Sequence, residues 1–338
     1  MQISKNISLD QYLVLFATFL STIVVLLGAF CRLADAGLGC PDWPGCYGHL
    51  LSVPQTINEV AAASASYPTM PPLSPERMWP EMIHRYFAGT LGIIIFFLLA
   101  KSIFTNNQQL KSCVKIFSCL SLLVIFQAVL GMWTVTWKLH PLVVMGHLLG
   151  GFLITSMLWW NTLKCWLNNL SVKVNTNIKK LVWIMTILVF LQILLGGWTS
   201  SNYAALICPD FPFCNNTATL KMNFTEGFNF FQIIGINYEF GLLSEYARVA
   251  IHMTHRFGAI IVSGVIIYTG ISVIKSVKNQ NLNNIIYWIF FVLSIQVLLG
   301  ILNIKLILPI DIAVAHNGVG LLLLLSCISL CYFIRSKE

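Results

Sequence analysis

Two stretches of the chain, LLGAFCRLADAGLGCPDWPGC at residues 26–46 and LLGGWTSSNYAALICPDFPFC at residues 194–214, match each other at an offset of 168 residues. Self-similarity at a fixed distance is the signature of a duplicated fold. Further landmarks recur in unchanged order at offsets of 169 to 171: His84-Arg85 with His255-Arg256, Gln127 and Leu130-Gly131 with Gln296 and Leu299-Gly300, and His147 with His316. The chain is therefore predicted to consist of two homologous halves, residues 1–168 and 169–338.

The composition of the 338 residues excludes a soluble protein. Charged residues make up 9% and apolar types 57%, and the mean hydropathy is +0.79, whereas soluble domains are about 25% charged. The net charge of +8 comes mostly from bases in short segments between apolar runs, which is typical of membrane topology and not of nucleic-acid binding. A soluble enzyme, a disordered protein and a DNA-binding module are thereby excluded.

Eight apolar stretches are long enough to cross a bilayer, which takes about 20 residues. They lie at 12–31, 83–103, 114–134, 141–163, 181–200, 249–274, 285–304 and 311–334. The first is too long for the apolar region of a cleaved signal peptide and is expected to be retained. Since each half has an even number of spans, the halves share one orientation. The prediction is an all-α integral membrane protein whose eight transmembrane helices form two parallel-repeat four-helix bundles.

The distribution of bases predicts the direction of insertion. Twelve bases fall on the side of the termini: Lys5, Lys101, Lys111, Lys115, Lys164, Lys173, Lys179, Lys180, Lys275, Lys278, Arg335 and Lys337. The other eight lie largely in two long loops. By the positive-inside rule, both termini are expected in the cytoplasm and the long loops outside.

Four of the seven histidines form the repeated pairs: His84, His147, His255 and His316. Each lies early in a span that runs from outside to inside, so all four are expected at a similar depth near the outer face. Two histidines that face each other inside a four-helix bundle suit axial ligation of haem iron. For any one histidine, the alternative is a hydrogen-bonded packing residue. Zinc fits poorly, because nearby carboxylates and thiols do not complete a four-ligand set.

Small and charged residues accompany these histidines. Glycines follow or flank each one and either admit a flat macrocycle or allow close helix packing: Gly89, Gly92, Gly146, Gly150, Gly151, Gly258, Gly318 and Gly320. Arg85 and Arg256 are expected to pair with haem propionates or lipid headgroups.

The halves differ one helical turn before the first histidine of each pair. Glu81 precedes His84, whereas His252 precedes His255. A carboxylate beside one site only suggests that this site performs chemistry and that the other holds a permanent cofactor. The alternative is that Glu81 anchors Arg85 or lies in interfacial water.

Four of the ten cysteines form two C-x5-C pairs in the predicted outer loops, Cys40 with Cys46 and Cys208 with Cys214. Because the outside is oxidising, both pairs are expected to be disulfides. They either staple the loops or take part in redox delivery of electrons or haem. The remaining cysteines, including Cys31 and Cys327, are expected to be small packing residues.

Over essentially the whole chain, these features resemble the haem A synthase family of bacterial inner and mitochondrial membranes. The resemblance is carried by the eight spans and by GLGCPDWPGC at 37–46, EMIHR at 81–85, GHLLGG at 146–151, HR at 255–256 and AHNG at 315–318. It implies oxygen-dependent oxidation of the haem O C8 methyl group to the formyl group of haem A, which supports terminal oxidase assembly.

The resemblance also implies roles for individual residues. His84 and His147 would bracket the substrate haem O in the first half, with Glu81 beside the reacting edge. His255 and His316 would ligate a resident haem b in the second half. Cys40 and Cys46 match the outer cysteine pair of the family, and His252 receives no role.

The implied mechanism relays electrons from haem b to the substrate site, where the methyl group is hydroxylated twice to a gem-diol that loses water. Glu81 would handle protons or stabilise developing positive charge.

Expected partners are haem O, oxygen, membrane lipid, haem O synthase, an electron donor, terminal oxidase assembly factors and a second copy of the chain, in the inner (plasma) membrane. Two alternatives stay open: a di-haem electron carrier like cytochrome b, and a haem transporter or chaperone.

Overall fold

The computed structural model describes residues 9–68, 73–167, 171–214 and 221–335, and all regular elements named in these ranges are helices. They are α1 (Leu9–Leu33), α2 (Ile57–Ser66), α3 (Pro75–Phe104), α4 (Gln108–Lys111), α5 (Val114–Thr136), α6 (Pro141–Trp166), α7 (Thr176–Ser201), α8 (Phe224–Gly227), α9 (Glu245–Ser276), α10 (Gln280–Lys305) and α11 (Ile310–Ile334).

All eight predicted spans are confirmed as helices long and apolar enough to cross a membrane: α1, α3, α5, α6, α7, α9, α10 and α11. The chain is a multi-pass membrane protein. Helices α3 and α9 begin before their apolar stretches, at Pro75 and Glu245. Proline suits the first helical position because it has no amide hydrogen to leave unpaired. Ser244 caps α9 by accepting from the amide of Ala247.

Helix packing within the described residues forms two apolar cores. One core is built from α1, α3, α5 and α6. The other is built from α7, α9, α10 and α11, with Val25 of α1 and Phe152 of α6 added at its edge. The two groups meet where α6 packs on α7 and α11, and where α1 packs on α11. Each candidate histidine helix thus has neighbours within its own half.

Equivalent positions of the two quoted stretches contact each other. Arg32 Nη2 donates to the carbonyl oxygen of Ser200 at 2.6 Å, and the Tyr203 hydroxyl donates to Asp35 Oδ1 at 3.2 Å. Both pairs are 168 residues apart, which is the repeat offset. Such contacts are expected where a two-fold axis runs between two similar units. The arrangement as two repeated bundles stays a prediction, because its boundary at residues 168/169 lies outside the described residues, as do Lys5 and Lys337.

The second long loop reaches across to the first half. The Tyr238 amide donates to the carbonyl oxygen of Lys138 at 3.0 Å, and Glu239 forms an ion pair with Arg77 at the start of α3. His140 Nε2 lies 3.2 Å from the carbonyl oxygen of Gln232. These contacts hold the two halves together at the end of the molecule that carries both C-x5-C loops.

Candidate functional site

The four repeated histidines lie on four different helices and meet in pairs. His84 is on α3, His147 on α6, His255 on α9 and His316 on α11. The ring centroids of His84 and His147 are 6.2 Å apart, and the ring planes are nearly perpendicular at 81°. His255 lies close enough to His316 for an electrostatic interaction. The structure therefore brings together the two histidines of each half.

Each of these imidazoles rests against a glycine of the neighbouring helix. A Cβ atom added to the glycine would lie close to the Cε1 atom of the imidazole in all four cases: 3.1 Å for Gly28 and His84, 3.4 Å for Gly131 and His147, 3.2 Å for Gly196 and His255, and 3.2 Å for Gly300 and His316. A side chain on any of these glycines would crowd the ring. The glycines belong to α1, α5, α7 and α10, so the four histidine environments repeat one pattern.

The contact of these four glycines with the histidines was not expected from the sequence, although Gly131 and Gly300 mark the repeat and all four share a signal. They end the segments Val129-Leu130-Gly131 and three copies of Leu-Leu-Gly at 26–28, 194–196 and 298–300. Five of the glycines that flank the histidines in sequence meet a side chain of another helix: Gly150 faces Gln127, Gly258 faces Gln192, Gly151 faces Val25, Gly318 faces Leu26 and Gly92 faces Val124, whereas a Cβ atom on Gly89 would meet no atom within 4 Å. At these five positions, close packing of helices is what the structure shows.

Glutamine side chains lie beside the histidine pairs. Gln192 Nε2 is 3.0 Å from His255 Nδ1 and donates to the His255 carbonyl oxygen at 2.8 Å. Gln296 Nε2 is 3.4 Å from His316 Nε2. Gln127 is buried and faces Gly150, which is one turn beyond His147 on α6. Buried amides of this kind fix the orientation of a ring in a low-dielectric interior.

The residues at these sites fit a haem. A porphyrin supplies four nitrogens to its iron and leaves two axial positions, which two imidazoles can occupy. The Nδ1 atoms of His84, His147 and His316 are buried and make no hydrogen bond of good geometry within the described part of the chain, and the backbones of Val24, Gln127 and Gln296 lie beside these rings. Buried polar atoms rarely stay unpaired, so these imidazoles suit ligation of a group from outside the protein chain.

Glu81 lies three residues before His84, is 5% exposed, and uses both carboxylate oxygens. Oε1 accepts from Arg85 Nη2 at 2.5 Å, and Oε2 accepts from the Cys40 amide at 2.9 Å. The sequence left open whether Glu81 anchors Arg85 or lies in interfacial water, and the structure shows the contact with Arg85. The contact with Cys40 was not foreseen, because it joins residues 41 positions apart.

The two arginines that follow the histidines bind the C-x5-C loops. Arg85 Nη1 donates to the carbonyl oxygens of Asp42 at 3.0 Å and Pro44 at 3.2 Å, and also to that of Gly45. Arg256 donates to the carbonyl oxygens at the equivalent positions, Asp210 at 2.7 Å and Pro212 at 3.1 Å, and to that of Cys208 at 2.6 Å. In the structure both arginines donate to loop carbonyls, and their pairing with haem propionates or lipid headgroups stays a prediction.

Both predicted disulfides are present. Cys40 is bonded to Cys46 and Cys208 to Cys214, with Cα–Cα distances of 4.8 and 5.2 Å. The predicted packing cysteines Cys31 and Cys327 are buried free thiols.

His252, which has no role assigned from the sequence, is buried, and its Nδ1 lies 2.7 Å from the Ala204 carbonyl oxygen. His252 therefore ties α9 to the segment after α7, much as Glu81 ties α3 to the loop after α1.

Comparison with known proteins adds family evidence to this geometry. The model of the cytochrome oxidase assembly protein family COX15-CtaA matches residues 11–328. A protein named Heme A synthase from Shewanella oneidensis is 41% identical over 319 residues, which cover 94% of each chain.

More distant relatives carry the same name. The Heme A synthase of Wolbachia pipientis subsp. Culex pipiens is 27% identical over 342 residues, covering 94% of this chain and 97% of its own. That of Bacillus mycoides is 25% identical over 334 residues, covering 94% and 90%.

Proposed function

This chain belongs to the COX15-CtaA family of cytochrome oxidase assembly proteins and functions as a haem A synthase, and we propose that it is an oxidoreductase that uses oxygen to convert the C8 methyl group of haem O to a formyl group. The observation that carries this proposal is the fourfold pairing of a histidine with a glycine, twice in each half. It provides two places where a flat macrocycle can be held between two imidazoles.

The two halves have different duties in this proposal. His84 and His147 hold the substrate haem O in residues 1–168. His255 and His316 hold a resident haem b in residues 169–338, and haem b supplies one-electron transfer when bound. The reaction is placed in the first half because Glu81 lies there, whereas the equivalent position of the second half carries His252.

Residues of the chain orient the substrate and move protons. Glu81 fixes the first turns of α3 through Arg85 and the Cys40 amide, so that His84 is held in a defined orientation. As a buried carboxylate one helical turn from His84, it also gives or takes a proton during hydroxylation of the methyl group. Each of two hydroxylations would insert one oxygen atom of O2 into a C–H bond of the methyl group, while two electrons from the electron donor and two protons convert the other oxygen atom to water. The gem-diol then loses one further water molecule to give the formyl group.

The proposed location is the inner (plasma) membrane, with both termini in the cytoplasm and the disulfide loops outside. The excess of bases on the side of the termini and the disulfides on the opposite side support this orientation. Haem O synthase, an electron donor, oxidase assembly factors and a second copy of the chain are the proposed partners.

The test is extraction and chromatography of haems from cells that express this chain together with a source of haem O. Haem A, or its alcohol intermediate, is the expected new pigment. An electron carrier or a haem transporter would leave haem O unaltered, so unchanged haem O with haem b alone would overturn the proposed function.

A further inference from the structure

The helices that face the four histidines share a sequence pattern with one exception. Gln127, Gln192 and Gln296 each stand four residues before the glycine that contacts a histidine, in the form Q-x-x-L-G. On α1 the same position, four residues before Gly28, is occupied by Val24. The repeat offset of 168 residues relates Val24 to Gln192. His84 is thus the one repeated histidine whose partner helix offers no amide at this position.

The facing position on the histidine helix changes together with this residue. Gln192 packs on Gly258, three residues after His255 on α9. At the offset of 171 residues that relates His84 to His255, the residue equivalent to Gly258 is Phe87. In the first half, Val24 therefore stands at the position of Gln192, and Phe87 stands at the position of Gly258. Two apolar side chains occupy the positions where the second half has an amide.

The amide of Gln192 has the properties of a group that supports a metal ligand. Hydrogen-bond partners outside the ligand set orient a metal-binding histidine, and their loss lowers the metal affinity. Gln192 Nε2 lies 3.0 Å from His255 Nδ1 and donates to the His255 carbonyl oxygen at 2.8 Å, so one amide group contacts both the ring and the backbone of this histidine. Val24 has no polar side-chain atom, and only its backbone lies beside the His84 ring.

We propose that Gln192 is a positioning residue that makes the second-half site retain its haem, and that Val24 leaves the first-half site able to exchange haem. The inference rests on the proposed function, in which haem O must enter and haem A must leave one site while haem b stays in the other. Support by a second ligand sphere changes metal affinity by about 10–100-fold. A difference of that size separates a permanent cofactor from an exchangeable substrate.

Exchange of the two residues tests this inference. The probe is transfer of haem from the purified, detergent-solubilised protein to excess apomyoglobin, followed by the absorbance of the myoglobin formed. Each half is followed alone, in a His84→Ala background for the second half and a His255→Ala background for the first. Gln192→Val is expected to speed transfer from the second half by about 10–100-fold, and Val24→Gln to slow transfer from the first half by a similar factor.

Two further variants separate positioning from general damage. Gln192→Glu keeps the shape of the side chain but has no amide N–H to donate to the His255 carbonyl oxygen, and it is expected to transfer haem faster than the wild-type protein. Leu191→Val, at the exposed neighbouring position on α7, is expected to leave the rate unchanged. Gel filtration and tryptophan fluorescence confirm that each variant is folded before rates are compared.

The outcomes distinguish this inference from the proposed function. Unchanged transfer rates in both Gln192→Val and Val24→Gln, with haem A still produced by the wild-type protein, would overturn the role of the two residues alone. Absence of any haem O product from the wild-type protein would overturn the proposed function, whatever the transfer rates. A rate increase in Leu191→Val equal to that in Gln192→Val would also contradict the specific role of Gln192.

Discussion

The Oε2 atom of Glu81 accepts a hydrogen bond from the backbone amide of Cys40 at 2.9 Å, which joins the helix that carries His84 to the first disulfide loop. The other oxygen of Glu81 pairs with Arg85, and Arg85 in turn binds three carbonyl oxygens of the same loop. Hydrogen bonds and an ion pair therefore connect the first disulfide loop to the helix that carries His84.

The first prediction concerns how much the contacts of Glu81 contribute to the stability of the protein. Glu81→Ala leaves the partly buried Arg85 guanidinium with its loop carbonyls but without its carboxylate, and leaves the Cys40 amide without its acceptor; loss of one partner from a buried ion pair costs about 3–5 kcal/mol. Glu81→Gln keeps an acceptor oxygen and should lose roughly 1.5–3 kcal/mol. Thermal unfolding of the purified protein in detergent measures the difference, and equal midpoints for the two variants would argue against the contact with Cys40.

The second prediction concerns the chemistry of Glu81. Both Glu81→Gln and Glu81→Ala should lower the yield of haem A while the protein still binds haem. The measurement is the ratio of haem A to haem O in extracted pigments, compared with the haem content of the purified protein. Full haem A output with normal haem binding in either variant would show that Glu81 has no part in the reaction.

The third prediction assigns the resident haem. His255→Ala and His316→Ala should each lose the haem b absorbance of the purified protein, because one axial ligand is removed. His49→Ala is the matched control, since His49 lies in the first disulfide loop region and contacts Ser52. An optical spectrum that stays the same in His255→Ala and His316→Ala would refute the assignment.

The fourth prediction uses the glycines. Gly196→Leu should displace the His255 ring, since even a Cβ atom there would lie 3.2 Å from it, and the second half should then lose its haem. Gly28→Leu should affect the first half in the same way through His84. Gly264→Leu is the control on α9, because no atom lies within 4 Å of a Cβ placed there. Haem content that falls equally in all three variants would mean that the effect is general destabilisation.

The fifth prediction concerns pH. Hydrogen bonds from the Ser244 hydroxyl and from its amide hold the pKa of the Glu226 carboxyl below its usual range. The stabilisation is present above the unfolded pKa of about 4.3 and is lost as pH falls through the lower folded value. Protection factors near the start of α9, which correct for the intrinsic pH dependence of hydrogen exchange, should therefore fall below about pH 4 in the wild-type protein. In Glu226→Gln the exchange should depend much less on pH, and an identical pH profile would contradict the role of Glu226.

Much of the architecture followed from hydropathy and repeats, because an apolar run of sufficient length has few ways to fold in lipid. The eight spans are confirmed for this reason, whereas the two disulfides were predictable because each pair of cysteines lies close in sequence on the oxidising side. The partners of Glu81, Arg85 and Arg256 could not be predicted, since each depends on how a loop folds back over a helix end. Proximity in sequence favoured contact between Glu81 and the His84 site, whereas the structure adds the Cys40 amide from another segment.

The candidate site, too, could be predicted from the sequence only in part. The histidine pairs could be predicted from the repeat alone. The glycines against them belong in each case to the preceding transmembrane helix, and their identity required knowledge of which helices are neighbours. The pattern Q-x-x-L-G was visible in the sequence, but its meaning depends on the side-chain contacts of Gln192 and Gln296.

The account as a whole predicts two haem sites with separate duties, and haem analysis of three purified proteins tests this claim most directly. Wild-type protein, His84→Ala and His255→Ala are each expressed with a source of haem O, and their extracted haems are separated by chromatography. The wild-type protein should yield haem b together with haem A or its alcohol intermediate. His84→Ala should keep haem b and lose the products of haem O, whereas His255→Ala should lose haem b. Haem A produced at the wild-type level by His84→Ala, or haem b retained in full by His255→Ala, would contradict the account.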